Sequence, residues 1–230
     1  MPRSGSNWVR LILDSHPVIT CYAALLRKTT LVESESTFFD KLDQRFSSPS
    51  YRMDHYQEML ESIFSYAPVS RWVGMKFMLN SSTEIRDHLL ASDYKHILLT
   101  RANYLAAYAS HLLAKSTGRA VILKGDTVSR VPVMFDPQRF RGFCEARHRH
   151  FGELRKMASS DMLEIEYNDL RSRGFAKIAE FFDVPLDGFA MTVTVKRGSD
   201  DILSRFANPQ DVMRELEAIG RTDWVTEAIA

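Results

Sequence analysis

Short apolar runs alternate along this chain with longer stretches in which apolar residues return every three or four positions. His96-Ile-Leu-Leu-Thr100 and Trp72-Val-Gly-Met-Lys-Phe-Met78 are short and rich in apolar, β-branched or aromatic residues, the pattern of buried strands. Residues 162–167 alternate polar and apolar and predict a third strand. The helical period occupies 6–15, where Trp8, Val9, Leu11 and Ile12 are apolar, and then 56–66, 82–90, 103–115, 137–159 and 173–182. His16-Pro17 stops the first helix, because the residue before a proline is pushed out of the helical region. Ser81-Ser82-Thr83-Glu84 supplies a capping signal for the third, and Pro185 lies just past the last.

Strands separated by helices predict an α/β fold with a mainly parallel sheet flanked by helices. At 230 residues, with no internal repeat or low-complexity stretch, the expectation is one domain over 1–230. Ligands of such sheets bind beyond the carboxyl ends of the strands, so chemistry is sought there.

Composition narrows the classes of partner. The net charge of +1 and a pI near 7.8 argue against nucleic acid, whose phosphates demand a strong basic excess. No run approaches 18 apolar residues, and the N-terminus lacks the charged-then-apolar order of a signal peptide, so the expectation is a cytoplasmic protein without a membrane span. Two cysteines, Cys21 and Cys144, make no disulfide framework and no metal spacing. His148 and His150 stand two apart, on different faces of a helix, so no metal is expected.

Two segments carry candidate chemistry. Arg3-Ser4-Gly5-Ser6-Asn7-Trp8 is a small-residue turn feeding a helix. Gly5 permits a tight backbone, the short polar side chains offer donors, the helix start favours an anion, and Arg3 adds a planar cationic fork. A plain N-cap with a surface arginine has the same local pattern. The absence of Gly-Lys excludes a Walker loop, and with it a small P-loop kinase as the preferred reading. In the second segment, Arg101 follows a strand and Ser110 comes nine residues later, about two and a half helical turns on. Both can reach one anion if the chain turns between them; a surface charge and an idle helical serine are the alternative.

Together with Leu11-Ile-Leu-Asp-Ser-His16-Pro17, the first segment resembles the 5'-phosphosulfate loop and first helix of the sulfotransferase family, nearest to the bacterial type of Nod-factor and trehalose sulfotransferases. The resemblance implies a P-loop-like nucleotide-binding fold and a donor, 3'-phosphoadenylyl sulfate, whose phosphosulfate end is held by Arg3, Ser4, Gly5, Ser6, Asn7 and Trp8. It assigns Arg101 and Ser110 to the ribose 3'-phosphate. Glu166-Tyr167-Asn-Asp-Leu170 resembles the family's late strand and turn, and Lys196-Arg197-Gly198 with Leu203 to Asn208 resembles the C-terminal segment that folds back over the donor. A solvated basic loop is the other reading of Lys196 and Arg197.

The implied reaction moves a sulfuryl group to a hydroxyl or amine of a carbohydrate, lipid or small-molecule acceptor, shaped by about 25–70 and the C-terminal segment. Arg3 would neutralise the leaving phosphate, and Lys76, within the strand, is either a second cation or a lysine that snorkels to the surface. For the base the resemblance expects an acid where Ala24 stands, which leaves Glu33 or Glu35, with His16 and His96 as further candidates. The family's fold places a hydrophobic strand before the loop. Here the chain begins at Met1-Pro2, so the natural start lies upstream, the chain was trimmed, or the first strand is missing. A degenerate member that binds the nucleotide without turnover is the alternative function.

Overall fold

β-Branched and apolar runs too short to bury themselves as helices form four strands among the described residues, and the structure, a computed structural model, places helices between them. It describes residues 3–26, 42–66, 70–77, 82–117, 131–157, 161–170, 174–190 and 200–227. In chain order these contain α1 (Ser6–Asp14), β1 (Ile19–Tyr22), α2 (Pro49–Asp54), α3 (Tyr56–Tyr66), β2 (Trp72–Met75), α4 (Thr83–Ala91), β3 (His96–Thr100), α5 (Tyr104–Thr117), α6 (Pro137–Met157), β4 (Met162–Glu166), α7 (Phe175–Phe182) and α8 (Pro209–Ala218). The fold is α/β, and both strand pairs are parallel. Among the described residues the strands form two separate two-stranded sheets, β1–β2 and β3–β4, where the sequence predicts one mainly parallel sheet. The chain divides into two compact units, residues 6–94 with 178–191, and residues 1–5 with 95–177 and 192–230. None of the described helices is long and apolar enough to cross a membrane.

In the unit built on residues 6–94, α1 buries Val9, Ile12 and Leu13 and is tied to β1 through its last turn. Asp14 Oδ1 accepts from the Cys21 amide at 3.0 Å, and Arg10 Nη1 donates to the Cys21 carbonyl at 3.2 Å. Ile19 pairs with Trp72 and Tyr22 with Met75. The core gathers Leu25, Leu26, Phe46, Met59, Leu60 and Ile63. Arg52 is fully buried there and donates to the carbonyls of Leu25, Phe46 and Ser47, so a charged group closes backbone acceptors that would otherwise be stranded.

In the other unit, His96 pairs with Met162 and Thr100 with Glu166. The core comprises Leu105, Tyr108, Phe135, Phe140, Ile202, Phe206, Val212, Leu216 and Trp224. The C-terminal segment is pinned to the turn after β3: Asn103 Nδ2 donates to the carbonyls of Trp224 and Thr226, both at 3.0 Å, while its Oδ1 caps α5 through the Ala106 amide at 2.8 Å.

Two strand boundaries depart from the sequence prediction for local reasons. The strand expected over 72–78 stops at Met75, because its partner ends at Tyr22; Lys76 therefore lies just past the strand, its amide still donating to the Tyr22 carbonyl at 3.0 Å. The strand expected to reach Tyr167 stops at Glu166, whose carboxylate accepts from the Asn168 amide at 2.6 Å and turns the chain into a helical turn.

Candidate functional site

The first residue beyond each of three strands is one with chemistry to offer: Lys76 after β2, Arg101 after β3 and Tyr167 after β4. This is where open parallel sheets place ligand-binding groups.

The 3–5 loop belongs to the unit that holds β3 and β4. Arg3 has φ +77° and Gly5 φ +89°, a left-handed backbone at two of three successive residues. A Cβ on Gly5 would lie 2.6 Å from Cδ2 and Cε2 of Tyr167, so the position has room for glycine alone. Three contacts fix the loop. Arg3 Nε donates to Ser110 Oγ at 2.8 Å, across 107 residues of sequence. Arg101 Nη1 donates to the Arg3 carbonyl at 3.0 Å. Arg147 Nη2 donates to Ser4 Oγ at 3.1 Å.

The second segment thus meets the first: Arg101, Ser110 and the Arg3-Ser4-Gly5 loop form one cluster. Arg101 is itself held. Its Nε and Nη2 grip the two Glu227 carboxylate oxygens at 2.7 and 2.5 Å, with both residues buried, and its guanidinium lies 4.6 Å from the Tyr167 ring centroid. Positive charge accumulates around this fork. Burial, followed by the neighbouring Arg101 charge, holds the Arg205 guanidinium below its usual range. Burial pulls Arg147 down to about 10, and Arg101 acts in the same direction. His111 is also depressed, by burial first and then by Lys115 and Arg3. Burial is the largest cause in each case, and the Glu227 carboxylate opposes it at Arg205.

The second unit holds Ser6, Asn7 and Trp8 at the start of α1, and Lys76. Lys76 Nζ donates to Asn7 Oδ1 at 2.5 Å, so these two candidate residues are partners. His16, a candidate base, is a structural residue. It is 3% exposed, its Nδ1 accepts from the Val18 amide at 3.3 Å, and its Nε2 lies 3.1 Å from the Pro185 carbonyl, which requires the Nε2–H tautomer. Ala24, where the resemblance expects an acid, is buried. Glu33, Glu35, Lys196, Arg197 and Gly198 lie outside the described residues.

Among the described residues no group of three His, Cys, Asp or Glu side chains gathers to hold a metal. The sequence reading missed Arg147 and Glu227. Arg147 had a signal: in Phe143-x-x-x-Arg147-x-x-x-Phe151 an arginine sits on the apolar face of its helix. Glu227 had none, since its partner is 126 residues away. No protein-family model matches the chain, and no curated protein matches it either.

Proposed function

We propose that this chain binds 3'-phosphoadenylyl sulfate and transfers its sulfuryl group to an acceptor hydroxyl or amine. The observation that carries the reading is the meeting of the 3–5 loop with Arg101 and Ser110 in one cationic cluster, through the Arg3–Ser110 contact of 2.8 Å and the Arg101–Arg3 contact of 3.0 Å. The two segments resemble a phosphosulfate loop and a 3'-phosphate site, and a bisphosphorylated nucleotide is the ligand with anions for both. On this reading Arg3, Ser4 and Gly5 hold the 5' end, Ser110 and Arg101 the 3'-phosphate, and the donor supplies the transferable sulfuryl group. A small P-loop kinase is disfavoured by the missing Gly-Lys pair.

A thermal-shift titration tests this on the full chain. Adenosine 3',5'-bisphosphate raises the melting temperature, by the equivalent of about 2.7 kcal/mol at a hundredfold excess over its dissociation constant, and AMP and ATP raise it less. Ser110→Ala removes the preference. Equal stabilisation by the bisphosphate and AMP refutes the 3'-phosphate assignment.

The second reading, a nucleotide binder without turnover, is favoured by the buried Ala24 and by the structural commitment of His16. It predicts bisphosphate binding with no sulfate transfer to a panel of carbohydrate, lipid and small-molecule acceptors.

A further inference from the structure

We infer that Arg147 is a positioning residue that sets the Ser4 hydroxyl as a hydrogen-bond donor toward an oxyanion held by the 3–5 loop. The inference rests on the anion-binding reading of that loop and adds the residue that orients it.

A guanidinium only donates, whereas a serine hydroxyl has one proton and two lone pairs. Arg147 Nη2 donates to Ser4 Oγ at 3.1 Å, and both residues are buried. With a lone pair taken by a charged donor, Ser4 turns its single proton to the next partner. The same relation recurs at Ser110, whose Oγ accepts from Arg3 Nε at 2.8 Å. Two hydroxyls set in this way match a ligand built only of acceptors, a phosphate or sulfate group, and mismatch an ammonium or a metal cation.

Arg147 is built for a fixed orientation. Its guanidinium lies 5.3, 5.5 and 5.2 Å from the ring centroids of Tyr104, Phe143 and Phe151. Phe143, Arg147 and Phe151 are spaced four apart on α6, which lines them along one face of the helix. Burial lowers the guanidinium only to about 10, so it stays protonated at neutral pH and remains a donor.

A double-mutant cycle on the full chain tests the role, with Arg147→Gln, Ser4→Ala and the double variant. Dissociation constants are read for inorganic sulfate by thermal-shift titration and for adenosine 3',5'-bisphosphate by calorimetry, beside AMP. Each single change weakens both ligands roughly tenfold, and the double variant is no weaker than either single one. Arg147→Lys, which keeps the charge without the fork, loses less than Arg147→Gln, and it replaces Arg147→Gln in the cycle if that variant does not fold. Additive losses, or unchanged affinity in Arg147→Gln, overturn the inference.

The two readings separate cleanly. Coupled losses on sulfate without preference for the bisphosphate over AMP overturn the nucleotide reading and leave Arg147 in its role. Preference for the bisphosphate with additive losses does the reverse. A wild-type protein that takes neither anion overturns both.

Discussion

Gly5→Ala tests whether the 3–5 loop has the shape on which the site depends. Two costs apply. At φ +89° an alanine is held in a backbone region that costs about 1–3 kcal/mol for a residue with a Cβ. The new methyl also lands 2.6 Å from two Tyr167 ring carbons, about an ångström inside ordinary carbon contact at roughly 3.5–4.0 Å. Tyr167 cannot simply swing aside, because the Arg101 guanidinium stacks on it and the residue opens a helical turn. Overpacking of this kind costs about 1–3 kcal/mol, so the variant loses roughly 2–6 kcal/mol and melts about 4–24 °C lower. Equilibrium urea unfolding and calorimetry measure the change. Gly142→Ala is the control: Gly142 sits in mid-α6 with nothing near its Cβ position, and alanine there stabilises by up to about 1 kcal/mol. A Gly5→Ala protein within about 0.5 kcal/mol of wild type, the scatter of neutral surface changes, would falsify the loop geometry.

Other outcomes follow from single contacts. Glu227→Ala leaves the buried Arg101 fork without its carboxylate and destabilises by about 3–5 kcal/mol in denaturant unfolding; a change under about 1 kcal/mol contradicts the buried pair. Gly188→Ala places a methyl 2.2 Å from His16 Nε2 and breaks its contact with Pro185, costing about 2–3 kcal/mol in the same assay, and an unchanged midpoint refutes it. Burial pushes the thiols of Cys21 and Cys144 up to about 12, so both react with a thiol reagent at pH 8 far more slowly in the folded than in the unfolded protein; equally rapid labelling of the folded protein overturns this. Above a pH of about 9 the unfolded thiols release protons that the folded ones retain. Their share of stability, present below that pH, is therefore lost as pH rises toward 12.

Among the described residues, periodicity made most of the helices and three of the four strands legible. The helix over 56–66 and the strand over 96–100 match residue for residue, since apolar spacing and flanking polar residues decide such elements locally. β1 was missed because Ile-Thr-Cys-Tyr is too short to show a period, and only its pairing with β2 makes it a strand. α2 and α8 had readable starts in Ser48-Pro49 and Asn208-Pro209, where proline occupies a first helical position.

By itself the amino-acid order determined the local elements and the small-residue turn at Gly5, and it marked Arg3 and the pair Arg101 and Ser110 as two separate candidate segments; their direct contact belongs to the tertiary structure. Tertiary structure alone decided that Ser4 is held by Arg147, that Glu227 fills the Arg101 fork, and that His16 is a structural residue. Local preference acts over a few neighbours along the chain. A buried charge finds its partner by proximity in space, and Arg101 and Glu227 lie 126 residues apart along the chain.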